Sequence, residues 1–196
     1  MKRPLWIISL ALIASCTWLL PARAASPTAY VRGILDKVMA IQNDPALSNQ
    51  ARARAIHQII GQSFDFDMMA KDSLGETYGR LSGGQQQEFT RTFSFLFQDS
   101  YTRLVLNFLK KENIQYGQER QQGDKAQVDT AIVRTNEKIP VTYLMRRTSQ
   151  GWILHDVIVD GVSILQNYKT QFAQVIRTKS FDFLLKKMAD QRRAIQ

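Results

Sequence analysis

The sequence predicts an α+β fold, with helices wrapped around a curved antiparallel sheet of about four strands. Three observations lead there. Apolar residues follow helical spacing up to Leu109, they alternate with period two between Ala126 and Val159, and helical spacing returns after Gly161. The links between the alternating runs are too short for helical crossovers, which excludes a parallel sheet. Helices, then a meander, then helices place the helical layer on one face of the sheet.

Each element has its own signal. Tyr30, Ile34, Leu35, Val38 and Ile41 mark a first helix that ends at Asp44-Pro45. Ser48 is an N-cap for a second, with Ile56, Ile59 and Ile60 on one face. A short segment runs from Phe64 to Leu74, punctuated by Gly75 and Gly79. Ser82-Gly83-Gly84-Gln85 reads as a capping box. It opens a long helix carrying Phe89, Phe93, Leu96, Phe97, Tyr101, Leu104, Val105, Phe108 and Leu109. A weak strand is expected at Ile114–Gln118, followed by strands over Ala126–Val133, Ile139–Met145 and Trp152–Val159, with turns at Gly123-Asp124 and Thr148–Gly151. Val162–Arg177 and Phe181–Arg192 are amphipathic helices.

The first 24 residues read as a cleavable export signal. Lys2 and Arg3 precede the apolar run Leu5–Leu20, and Ala22-Arg23-Ala24 supplies small residues at a cleavage site. That run is short for a membrane anchor. Ile13-Ala14-Ser15-Cys16 also resembles a lipobox that would place a lipid on Cys16, but Thr17–Leu20 stays apolar where a lipoprotein turns polar. Cleavage after Ala24 removes the only cysteine, which excludes disulfides, thiolate zinc sites and cysteine nucleophiles. It leaves residues 25–196 as one domain of 23 basic and 17 acidic residues, net +6. Outside the cytoplasm such a charge meets anionic lipid head groups and acidic partners, with no nucleic acid expected.

The residues suited to chemistry do not assemble. His57 is helical and His155 lies in a strand, with nothing to pair them as metal ligands, and His155 and Asp156 alternate to opposite faces. Asp65 and Asp67 favour a helix amino terminus, and Gly83-Gly84 lacks the lysine of a phosphate loop. Ser163 lacks a nucleophile elbow and reads as a helix cap. No cofactor and no metal are expected. The third strong strand is apolar on both parities: Ile153, Val157 and Val159 on one, Trp152, Leu154 and Ile158 on the other. Periodicity leaves open whether this excess forms a filled core or an apolar cavity.

The stretch from Trp152 to Phe172 resembles the signature of the toluene-tolerance (MlaC) family. Asp156, Val157, Ile158, Gly161-Val162-Ser163, Asn167-Tyr168, Gln171 and Phe172 fit it, and Lys169 stands where arginine is usual. Phe64-Asp65-Phe66, Met69-Ala70, Leu74-Gly75 and Ile139-Pro140-Val141-Thr142-Tyr143 resemble further family segments. The resemblance implies a periplasmic lipid carrier of cone-shaped, NTF2-like appearance, with acyl chains in an internal apolar cavity and the head group at its mouth. It implies phospholipid as cargo, with a hopanoid-like lipid as the variant. The implied partners are an inner-membrane ABC transporter complex and an outer-membrane lipoprotein complex, served by a monomer. Apolar residues on facing elements nominate Phe97, Tyr101, Val141, Tyr143, Val157, Val159, Val162, Leu165 and Tyr168 as cavity lining. The hydroxyls of Tyr143 and Tyr168 would either approach the head group or bond to backbone. Lys169 keeps the positive charge but loses bidentate geometry toward a phosphate. Arg146-Arg147 and Lys186-Lys187 are candidate docking charges. The rival readings are a small-molecule enzyme on a similar cone and an adaptor whose apolar residues are all core.

Overall fold

The computed structural model describes residues 25–109 and 112–195; the export segment and Cys16 lie outside them. Five helices come first: α1 (Pro27–Asn43), α2 (Asn49–Ser63), α3 (Phe66–Leu74), α4 (Glu76–Arg80) and α5 (Gly83–Phe108). The sheet follows as β1 (Asn113–Gln122), β2 (Lys125–Val133), β3 (Lys138–Thr148), β4 (Gly151–Val159) and the short β5 (Val162–Ser163). Two helices, α6 (Ile164–Thr178) and α7 (Phe181–Ile195), complete the described chain. The caps stand where the side chains demand them. Ser48 Oγ accepts from the Ala51 amide at 3.2 Å. Ser82 and Gln85 cap each other's amides reciprocally at 3.3 and 3.0 Å.

All five strands pair antiparallel in sequence order. The weak first strand is a full ten residues, bent by an irregularity between Tyr116 and Glu119. Asp160 (φ 49°) and Gly161 (φ 78°) make the two-residue turn into β5. Both central residues of that turn are left-handed, the backbone sign that tight hairpins select.

The double-sided apolar pattern of β4 has a local cause. The register between β3 and β4 slips at His155: Leu144 faces Asp156, whereas Met145 faces Leu154. This β-bulge inserts one residue and reverses the parity beyond it. Trp152 and Leu154 therefore share a face with Val157 and Val159. With Ala126, Val128, Thr130, Val141, Tyr143 and Met145 they form a single inner face. The opposite face is polar around Asp129, whose carboxylate accepts from Arg120, Gln127 and Thr142.

Helix α5 is the spine of the helical layer, with α2, α3 and α7 packed on it and α6 packed on α3, α7 and β4. Its last carbonyls are satisfied from elsewhere. Gln42 donates to the Val105 and Leu109 carbonyls, and Arg134 donates to Phe108 O at 2.9 Å. The edge of β4 is covered at both ends, by β5 and by a parallel bridge from Phe64 to Leu154 with Asp65 N donating to Leu154 O. Among the described residues no helix is long and apolar enough to cross a membrane.

Candidate functional site

Helices α5 and α6 meet along an aromatic seam. Phe93, Phe97 and Tyr101 recur along one side of α5, and Tyr168 and Phe172 answer from α6. Phe64, Phe66, Phe89 and Phe181 extend the same network, with ring centroids 5.1 to 6.2 Å apart. Phe97 and Tyr101 stack at 5.5 Å, and Tyr168 stands edge-on to Phe93 at 5.4 Å. Such pairs add about 0.5–1.5 kcal/mol each beyond their buried area.

A pocket of about 310 Å³ opens on this seam. Phe97, Tyr101 and Tyr168 supply its aromatic wall, Leu104 and Ile164 its aliphatic sides, and Ser100, Asn167, Gln171 and Gln191 its polar groups. Leu104 is 40% exposed, so the pocket has an apolar rim. No charged side chain lines it.

The nine nominated residues separate into four positions. Phe97, Tyr101 and Tyr168 line the pocket. Val141, Tyr143, Val157 and Leu165 do not line it and are buried in the hydrophobic core cluster. Val159 is partly buried at the end of the inner face. Val162 is 61% exposed in β5, directly after the tight turn at Asp160-Gly161.

The tyrosines are neutral phenols. Burial, and then the nearby Asp156 carboxylate, pushes Tyr101 far above the usual range. Burial does the same to Tyr143, whose hydroxyl bonds to Thr130 in the interior, away from the rim. Tyr168 is raised by burial and hydrogen-bonded to Ser100 at the pocket. Lys169 lies against Gly75 and does not line the pocket.

The signature residues hold α6 on the sheet. Asp156 is buried at the bulge, and its carboxylate accepts from the Val157 and Leu165 amides at 2.8 and 3.0 Å and from the Ser163 hydroxyl. Ser163 Oγ in turn accepts from Gln166 N at 2.9 Å, capping α6. One carboxylate thus ties the bulge to the helix bearing Tyr168. Periodicity gave no hint of it, since the bulge itself removes the alternation that would have placed Asp156.

Most of the other polar candidates have structural partners. Asp65 caps α3 through Met68 N and pairs with Arg146, which takes Arg146 out of the free docking charges. Arg147 lies over the Trp152 ring. His57, read as a helical histidine with no metal-ligand partner, meets Asp99 at 3.1 Å where α2 packs against α5. His155 Nδ1 is buried without a hydrogen-bond partner among the described residues, and burial lowers its pKa. Among the described residues no group of three or more His, Cys, Asp or Glu could hold a metal.

The model of the MlaC protein family matches residues 32–190. The chain belongs to the MlaC family. It is 25% identical over 121 residues to the intermembrane phospholipid transport system binding protein MlaC of Haemophilus influenzae, an alignment covering 59% of this chain and 56% of that protein. It is 23% identical over 177 residues to the toluene tolerance protein Ttg2D of Pseudomonas putida, covering 84% and 79%. Its fold matches a phospholipid-binding protein from Ralstonia solanacearum, solved with a phospholipid, at a TM-score of 0.77. That match has 22% identity and covers 87% of this chain and 99% of the other. The α+β architecture, an antiparallel sheet under a helical layer, is shared with that structural neighbour.

Proposed function

We propose that this MlaC-family chain is a periplasmic lipid carrier, exported as residues 25–196, that takes phospholipid tails between α5, α6 and the inner face of its sheet. The aromatic-walled pocket on the α5–α6 seam carries the reading, supported by the family and by the phospholipid bound in the structural neighbour. About 310 Å³ lies at the small end of ligand sites, which run from ~300 to ~1,000 Å³. It admits part of one tail, and a whole lipid requires α5 and α6 to separate from the sheet, exposing Val141, Tyr143, Val157 and Leu165 to the cargo.

Hydrocarbon in water costs about 0.8 kcal/mol per methylene, roughly 20 kcal/mol for two tails, so an aqueous gap is crossed only inside a protein. Binding is non-covalent and no bond is made or broken. Neutral amides and a hydroxyl at the rim would hydrogen-bond a head group without demanding a particular charge. Delivery between an inner-membrane transporter complex and an outer-membrane lipoprotein complex completes the reading.

The test is extraction of the purified chain with organic solvent, followed by mass spectrometry. Phospholipid near one molecule per chain is expected; a triterpenoid would replace the cargo. A chain that stays lipid-free even after incubation with phospholipid vesicles would sink the carrier reading.

A further inference from the structure

On the side of α5 away from the lipid pocket, a cleft of about 700 Å³ runs between α2, α5 and α7. Ala53, Phe95 and Leu106 give it apolar surface, and Arg54, His57, Arg103 and Arg192 give it positive charge or the capacity for it. Its one lining carboxylate, Asp99, is engaged by His57 and by Arg192 Nε at 3.0 Å. Arg54 and Arg103 are exposed and, among the described residues, have no carboxylate within ion-pair distance. Thr102 lines the same cleft, is only 6% exposed, and its hydroxyl has no hydrogen-bond partner among the described residues. Arg192 Cζ lies over the Phe95 ring, 4.3 Å from its centre, and Arg192 Nε meets Asp99, so ring and carboxylate together position a guanidinium whose fork of N–H donors suits a carboxylate.

We propose that this cleft docks an acidic segment of a partner protein, whose carboxylates pair with Arg54, Arg103 and Arg192 while an apolar side chain rests on Phe95 and Leu106. The charge asymmetry selects an anion, and arginine forks suit carboxylates in particular. The concave shape and apolar floor select a protein segment over a bilayer, which presents a plane that cannot enter a cleft between helices. The site stands apart from the lipid pocket, and its test does not depend on lipid binding.

A fluorescein-labelled peptide of Glu–Leu repeats, titrated with the purified chain and read by anisotropy, is the probe. The wild type should bind it, with affinity falling as salt rises. R54E/R103E should weaken binding about tenfold or more, and the milder R54Q/R103Q should do so in part. K125E/K138E, an equal change in net charge placed on the sheet, should alter it by less than about twofold. Thermal melts establish that each variant is folded. Equal losses in the two Glu pairs, no loss in either, or no binding by wild type would overturn the proposal. So would phosphatidylglycerol vesicles that displace the peptide and show the same dependence on Arg54 and Arg103, since that assigns the surface to a membrane.

Discussion

Asp156 joins three backbone segments through one carboxylate, and its removal orphans the Leu165 amide and the Ser163 hydroxyl together. D156A should lower unfolding free energy by about 2–4 kcal/mol in urea titrations, and S163A, which loses a cap, by about 1 kcal/mol. His155 gives an acid limb. Its folded pKa lies below the ordinary 6.5, so the unfolded chain binds the proton more readily. Its contribution is whole above pH 6.5 and declines as pH falls through the folded value. Melts between pH 7 and 5 should show a falling Tm whose slope is reduced in H155Q. The buried phenols act at the other extreme. With Tyr101 and Tyr143 raised above 10, stability holds below pH 10 and falls as the pH climbs beyond it. Y101F should move that alkaline transition upward.

At the scale of elements, the bulge in β4 determines which face is greasy. Deleting His155 would remove the extra residue and restore strict alternation with Trp152 and Leu154 still on the core face, so the deletion variant should keep cooperative unfolding by circular dichroism, whereas inserting a residue after Leu144 of β3 should abolish it. The same bulge explains what could be read in the chain. The capping serines, the long aromatic helix and the alternation of β2 and β3 are local patterns, and each stands where its pattern put it. The slip at His155 breaks period two without a glycine or proline to announce it, so β4 looked apolar on both sides. The pocket was legible only in its aromatic wall. Whether Phe97 and Tyr168 fill each other's space or leave a gap depends on the separation of α5 and α6, a distance no periodicity encodes. Leu104, at the rim and partly exposed, offers a direct element-level test. L104D should cut lipid recovered by extraction several-fold while shifting Tm little, since exposed positions change stability by about 0.5 kcal/mol.

At the scale of the whole molecule, a helical layer rests on a sheet through apolar contacts that a tail can replace. A ligand that binds the folded chain alone raises its stability by about 2.7 kcal/mol at a hundredfold excess over Kd. Lipid-loaded chain should therefore melt higher than solvent-stripped, refolded chain, with the greatest gain in amide-exchange protection across α5 and α6. The closure of β4 by Phe64 and β5 matters here too. Its far counterpart, β1, carries Glu119, Arg120, Gln121 and Gln122 in a bent and exposed run. On the proposed reading the walls part around hydrocarbon, and a molecule that opens so risks recruiting its own copies into fibrils. With one sheet margin already bonded and the other charged and crooked, neither offers a flat template, and the fold can open without polymerising.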